Sequence, residues 1–205
     1  MKKVIFIALF FVFYSFSQNV KLKTGDILFQ SMNCGPLCEA INEVTEGYQG
    51  KDFSHLGMVY IKNDSVFVIE AAGKSVKITP YETFKTYTTE EIFVGRLKRK
   101  YRKYIPEAIT FSLQQVGVPY DDEYLYDNGK YYCSELIYDA FLHSYKKPLF
   151  DLYPMTFKSP KSNEYFEVWA NYYKNLKIEI PEGQLGCNPG GISTSNKLKI
   201  IGTIK

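Results

Sequence analysis

The sequence has few of the residues and motifs that mark the common enzyme classes. It holds only two histidines and one tryptophan in 205 residues. It contains no H-E-x-x-H motif, no zinc-type Cys/His spacing, no phosphate-binding glycine loop and no G-x-S-x-G elbow. No segment repeats at a fixed period, which argues against a solenoid. We therefore expect no metal and no cofactor.

The chain also lacks a strong excess of either charge. Its formal charge is +3, and Lys2 and Lys3 supply two of these positive charges. A near-neutral body gives no reason to expect a nucleic-acid partner. Aromatic residues are abundant instead, with 18 Tyr and 15 Phe. Such a chain can form a deep core and still present aromatic surfaces to a ligand.

The amino-terminal segment has the layout of a secretory signal peptide. Two lysines precede an apolar run at 4–14, and small residues follow at Ser15 and Ser17. The run is shorter than the roughly 20 residues that a membrane span needs. We therefore predict a signal peptide over 1–17 and one domain over 18–205. This domain would be exported, periplasmic or extracellular, and would have no membrane span.

Hydrophobic periodicity predicts short strands and a few amphipathic helices. The predicted strands lie at 27–29, 55–61, 66–71, 76–78, 92–97 and 198–204. The predicted helices lie at 36–45, at 101–116, from about Cys133 onward and at 165–176, and 188–191 is expected to be a loop. Short antiparallel strands with segregated helices indicate an α+β fold in which the sheet packs against the helices.

Cys133 is a candidate nucleophile because of its position at the start of a predicted helix. A cysteine in the first helical turn lies at the positive end of the helix dipole, which favours the thiolate form. The unpaired backbone N–H groups of the same turn can stabilise an oxyanion. A buried structural cysteine, or half of a disulfide, is the alternative interpretation.

His55 and Glu70 are predicted to meet across a β-hairpin. Asn63 and Asp64 suit a two-residue turn, because both tolerate positive φ. In that register Glu70 lies opposite Gly57, and His55 is its diagonal neighbour on the same face. Gly57 leaves room for the two side chains to meet. The carboxylate would then orient the imidazole, as in a catalytic triad.

Four motifs together resemble the YiiX-like permuted papain-fold hydrolases, which are related to the NlpC/P60 cysteine peptidases. They are Gly25-Asp26-Ile27-Leu28-Phe29, Ser54-His55-Leu56-Gly57-Met58-Val59, Ile69-Glu70-Ala71 and Tyr131-Tyr132-Cys133-Ser134-Glu135-Leu136-Ile137. As in that family, the histidine strand precedes the nucleophile helix. The resemblance implies a circularly permuted papain-like fold of the NlpC/P60 type.

The resemblance also implies roles for individual residues. Cys133 matches the family's nucleophile, His55 its base and Glu70 its acidic third member. The stretch around Tyr120 resembles the segment before the family's cysteine helix, which makes Tyr120 a cleft candidate. Tyr132 and Ser134, the neighbours of Cys133, are further candidates for substrate binding.

Three functions remain open from the sequence. The first is an exported cysteine amidase or peptidase that forms a thioester, with small peptides, acyl-amides or peptidoglycan fragments as substrates. The second is a lipid or N-acyl hydrolase or acyltransferase that uses the same site. The third is a non-catalytic binding module in which Cys133 forms a disulfide with Cys38 or Cys187. A local bridge between Cys34 and Cys38 would also suit an exported protein.

Overall fold

A computed structural model describes residues 20–205, so the predicted signal peptide at 1–17 lies outside the described part. Eight strands are present in that part: β1 (Ile27–Gln30), β2 (His55–Lys62), β3 (Ser65–Ala72), β4 (Ser75–Pro80), β5 (Ile92–Leu97), β6 (Tyr153–Pro154), β7 (Leu185–Gly186) and β8 (Leu198–Ile204). Six of them form one antiparallel sheet in the order β4-β3-β2-β1-β5-β8, and β6 pairs with β7.

Six α-helices accompany the sheet in the described part: α1 (Pro36–Val44), α2 (Tyr81–Lys85), α3 (Ile105–Gln114), α4 (Cys133–Tyr145), α5 (Glu167–Leu176) and α6 (Pro189–Thr194). Short 3-10 helices cover Tyr48–Gly50 and Arg99–Tyr104. The α+β class and the packing of an antiparallel sheet against helices are confirmed.

The β2–β3 hairpin has the register that the sequence predicts. Asn63 and Asp64 take φ values of 49° and 60°, as a tight two-residue turn requires. Lys62 consequently lies opposite Ser65. This register determines which side chains of the two strands share a face.

Helix α4 packs on one face of this hairpin. Its apolar stripe and the facing strand residues are buried together: Leu136, Ile137, Ala140 and Phe141 of α4 with Leu56, Met58 and Ile69 of the sheet. A smaller cluster covers the opposite face, where Phe84 of α2 packs against Leu28, Val59 and Val68. The long helix α4 therefore reaches the sheet with its first residue, Cys133, close to the strands.

Two local predictions were wrong. The single helix expected at 101–116 is a 3-10 helix followed by α3, which begins at Ile105. Pro106 lies in the first turn of α3, where its missing N–H costs nothing. The loop expected at 188–191 begins the short helix α6, because Asn188 Oδ1 accepts a hydrogen bond from the Gly191 N–H at 2.7 Å and caps it.

Residues 20–205 contain no helix with both the length and the apolar character needed to cross a lipid bilayer.

Candidate active site

The hairpin brings His55 and Glu70 into direct contact. His55 Nε2 lies 2.6 Å from Glu70 Oε2. His55 is 3% exposed and Glu70 is fully buried. A buried carboxylate is stable only with hydrogen-bonding or charged partners, and the imidazole supplies one. Because Nε2 faces the acid, Nδ1 is the ring nitrogen left for a further partner.

Gly57 makes this contact possible. A Cβ atom at position 57 would overlap Val68 Cγ1 and would lie 3.3 Å from the Cβ of Glu70. Its φ is not in the left-handed region, so glycine is required here for space rather than for backbone conformation. The absent side chain leaves the volume that Glu70 and His55 share.

Cys133 is the first residue of α4 and lines a cleft in the described part of the chain. The first turn of a helix has backbone N–H groups without intrahelical partners, and Cys133 is part of that turn. Glu135 fixes this helix start: its Oε2 accepts the Tyr132 N–H at 3.4 Å and its Oε1 accepts the Asp127 N–H at 3.0 Å. Burial raises the pKa of Glu135 to about 8 despite those two hydrogen bonds.

The electrostatics of the site favour a protonated His55. Burial lowers the pKa of His55, but hydrogen bonding and charge from Cys133 and Glu70 outweigh burial and raise it from 6.5 to about 9. Burial also acts to raise the pKa of Glu70, and its bond to His55 reverses this effect, so the pKa of Glu70 is lowered. At neutral pH His55 is therefore an imidazolium paired with the Glu70 carboxylate.

Tyr132 and Ser134 line the cleft, but their hydroxyls are engaged with a neighbouring segment. Tyr132 Oη accepts the Cys187 N–H at 3.1 Å, and Ser134 Oγ donates to the Cys187 carbonyl at 3.0 Å. These bonds attach the start of α4 to the segment that follows β7. Both residues thus position the nucleophile region in addition to lining the cleft.

Tyr120 also lines the cleft, and its hydroxyl lies 3.4 Å from that of Tyr124. Burial raises the pKa of Tyr120 well above 10, so the phenol stays protonated and can donate a hydrogen bond. Charge from Cys133 contributes to the same shift. Tyr120 is therefore the candidate binding residue whose hydroxyl is not engaged with the Cys187 segment.

Much of the cleft wall comes from residues that the sequence did not indicate. The cavity holds about 120 Å³, which is below the roughly 300–1,000 Å³ of pockets that enclose a whole small-molecule ligand. Its apolar wall includes Ile41, Val44, Tyr124, Met155, Phe157 and Trp169. No Lys, Arg, His, Asp or Glu side chain from residues 20–205 lines it. The only sequence signal for this wall was the high aromatic content.

The cysteines divide into one disulfide and two free thiols. Cys34 and Cys38 are bonded, with their Cα atoms 5.5 Å apart. Cys133 and Cys187 are both free and buried. With Cys38 bonded to Cys34 and Cys133 reduced, the disulfides that a non-catalytic binding module would need are not formed.

Within residues 20–205, no group of three or more His, Cys, Asp or Glu side chains is arranged to hold a metal ion. His143, the second histidine, lies away from the cleft. Its Nε2 is 3.1 Å from Glu107 Oε1, and its ring stacks on Phe111.

Comparison with known proteins identifies the family and the fold of this chain. A protein-family model described as the permuted papain-like amidase enzymes of the YaeF/YiiX, C92 family matches residues 21–202. The chain belongs to this family. The permuted papain-like fold is therefore established, and the family's activity directs attention to amide bonds.

Two relatives illustrate the family. The uncharacterized protein YiiX of Escherichia coli K12 is 28% identical over 124 residues, which are 58% of this chain and 57% of YiiX. The match thus spans little more than half of that relative. The crystal structure of the metalloprotein YiiX from Escherichia coli O157:H7 superposes with a TM-score of 0.70 at 22% identity, over 89% of this chain and 96% of that one. At that identity the superposition supports the shared fold.

Proposed function

We propose that this protein is a cysteine amidase in which Cys133 is the nucleophile, His55 the acid–base and Glu70 the group that orients His55. The observation that carries the proposal is the buried His55–Glu70 pair, whose atoms lie 2.6 Å apart. Cys133 is a further hydrogen-bonding and charge partner of the same imidazole. A histidine between a carboxylate and a thiol at a helix start is the arrangement that activates a cysteine nucleophile.

The reaction proceeds in two stages. The Cys133 thiolate attacks the amide carbonyl carbon, and the backbone N–H groups at the start of α4 stabilise the oxyanion. The His55 imidazolium then donates its proton to the leaving amine as the C–N bond breaks, which leaves a thioester on Cys133. Neutral His55 next removes a proton from water, and the resulting hydroxide displaces the thiolate and releases the carboxylic acid.

The cleft favours an amide with an uncharged, apolar group next to the scissile bond. Its wall is aromatic and aliphatic and has no charged side chain among the described residues. Cell-wall stem peptides carry carboxylates and amines, which such a wall would have to desolvate without partners. An acyl-amide therefore fits this cleft better than a charged peptidoglycan fragment.

A second candidate function is lipid acyl-ester hydrolysis or acyl transfer by the same residues. The apolar wall favours it as well, since residues such as Phe157 and Ile41 could contact a fatty acyl group. The thioester intermediate is common to both reactions, and only the attacked bond and the acceptor differ.

The compartment in which the protein acts is inferred from its amino-terminal segment. The signal-like segment at 1–17 supports action outside the cytoplasm. The relative YiiX is described as a metalloprotein, but residues 20–205 offer no matching ligand group.

Acyl-enzyme trapping tests the proposal. The protein is mixed with N-acyl amino acid amides, with a phospholipid ester or with muropeptides, quenched in acid and mapped by mass spectrometry. We expect an acyl adduct on Cys133 from the N-acyl amides, and no adduct in Cys133→Ala. Adducts from the phospholipid alone would support the second candidate, and the absence of any adduct would contradict both.

A further inference from the structure

Glu70 has a second set of partners on the side away from His55. Thr79 Oγ1 donates a hydrogen bond to Glu70 Oε1 at 2.5 Å, and Tyr87 Oη donates to the same oxygen at 3.2 Å. Lys77 Nζ lies 3.7 Å from that oxygen and donates to Tyr87 Oη at 3.2 Å. One carboxylate oxygen thus serves His55, and the other is held by two hydroxyls and an ammonium.

The fold brings these groups together from separate elements. In the β3–β4 ladder Lys77 lies directly opposite Glu70, and Thr79 lies opposite Val68, so all three side chains occupy neighbouring positions on one face. Tyr87 follows α2, and its ring also meets the His55 ring edge-on at 6.3 Å. Tyr87 is therefore in contact with both members of the pair.

None of these three side chains lines the cleft. They cannot touch a substrate held there, so any effect on the reaction must pass through Glu70 or, for Tyr87, also through His55. A buried carboxylate that accepts several hydrogen bonds is stabilised in its charged form. A carboxylate fixed at one oxygen is also restricted in rotation, which directs its other oxygen towards the imidazole.

We propose that Thr79 and Tyr87 are positioning residues of the reaction, which keep Glu70 ionised and directed at His55. This inference rests on the proposed function, because it assigns the two hydroxyls to the same triad. Glu70 is faced by His55 from β2, by Thr79 and Lys77 from β4 and by Tyr87 from the segment after α2. Cys133, from α4, is a further hydrogen-bonding and charge partner of His55.

The test measures the rate of iodoacetamide labelling of Cys133 as a function of pH. In Thr79→Val, which keeps the shape and removes the donor, we expect the acidic limb of the profile to move to higher pH. The rate near pH 6 should fall about tenfold, the value of one hydrogen bond to a charged group. Thr79→Ser, which keeps the hydroxyl, should restore most of the wild-type rate.

Tyr87→Phe provides a second, independent variant at a half-buried site where the fold tolerates the change. It should move the acidic limb in the same direction, whereas the matched control Tyr81→Phe, outside this cluster, should not. Wild-type profiles in both Thr79→Val and Tyr87→Phe, with Cys133 reactive in the wild type, would overturn this inference alone. An unreactive Cys133 in the wild type would instead overturn the proposed function, and this inference with it.

Histidine NMR supplies a readout that does not depend on the thiol chemistry. With only two histidines in the chain, a His143→Gln background leaves a single imidazole signal, that of His55. We expect its titration midpoint or its ring ¹⁵N shifts to change in Thr79→Val and to return in Thr79→Ser. Identical spectra in all variants would show that the hydroxyl has no part in holding the pair.

Discussion

Replacement of Gly57 by alanine tests the close packing on which the proposed triad depends. The new Cβ would overlap Val68 Cγ1 and would approach the Ile69 carbonyl oxygen to 3.2 Å and Glu70 Cβ to 3.3 Å. Val68 is fully buried and branched at Cβ, so it has little freedom to move away. Overpacking of this kind costs about 1–3 kcal/mol, and we expect Gly57→Ala to lower the free energy of unfolding by that amount.

The same change should weaken the His55–Glu70 contact, because the new methyl group would press against Glu70 Cβ at 3.3 Å. Urea unfolding measures the stability, and iodoacetamide labelling at pH 6 measures the activation of Cys133. We expect the labelling rate in Gly57→Ala to fall at least tenfold. Wild-type stability together with a wild-type labelling rate would refute the packing argument.

A double-mutant cycle separates the two effects. Val68→Ala alone should cost about 2 kcal/mol, as large-to-small core changes do. In the Gly57→Ala/Val68→Ala double variant the overlap with Val68 disappears, so the combined cost should be smaller than the sum by about 1 kcal/mol. The labelling rate should recover only in part, because the contact with Glu70 remains. Strict additivity would contradict the assignment of Val68 as the main obstacle.

Three further predictions concern pH, the disulfide and the segment behind the nucleophile. The folded-state pKa of His55 is raised to about 9. Protonated His55 should therefore stabilise the fold fully below about pH 6.5, and this contribution should be lost as the pH rises through 9. Urea unfolding at a series of pH values should show the decline in the wild type and not in His55→Gln. Replacing both Cys34 and Cys38 by serine should cost about 2 kcal/mol or less, since the bridge closes a very short loop, and should leave the Cys133 labelling rate unchanged; a loss of labelling would show that the bridge shapes the site. Tyr132→Phe should lower the unfolding free energy by about 1–3 kcal/mol, because the buried Cys187 N–H loses its acceptor; an unchanged value would show that another acceptor replaces it.

The hairpin and the nucleophile helix could be predicted from sequence because their signals are local. The Asn63–Asp64 turn determines the register of the adjoining strands, and that register alone places His55 beside Glu70. The apolar spacing after Cys133 likewise defines α4 and its first residue. These signals involve neighbours in sequence, so no knowledge of distant contacts was needed.

The cleft wall and the partners behind Glu70 could not be predicted in the same way. Trp169 packs against Tyr124, which is remote from it in sequence, and Phe157 in turn packs against Trp169. Thr79 meets Glu70 because a second tight turn after Ala72 sets the β3–β4 register, and that turn was not assigned from the sequence. Gly73 lies in that turn and takes a φ of 68°. This glycine is the one local sequence signal that could have indicated the turn.

The helix α6 was missed for a different physical reason. Pro189 and Gly190 usually interrupt regular structure, yet a proline is well suited to the first turn of a helix. The deciding interaction is the Asn188 cap. We expect this hydrogen bond to be stronger because the segment is buried beside α4. Local composition alone therefore favoured a loop.

The most direct test of the account is the selective reactivity of Cys133. The native protein, without reductant, is treated with iodoacetamide at about pH 6, where an ordinary thiol is mostly protonated and slow to react, and the labelled cysteine is located by peptide mapping. Cys187, whose pKa is raised by burial, serves as the internal control, and His143→Ala as the matched control for His55→Ala. We predict rapid labelling of Cys133 alone, lost in His55→Ala and kept in His143→Ala. An unreactive Cys133, or equal labelling in His55→Ala, would contradict the proposed thiol mechanism.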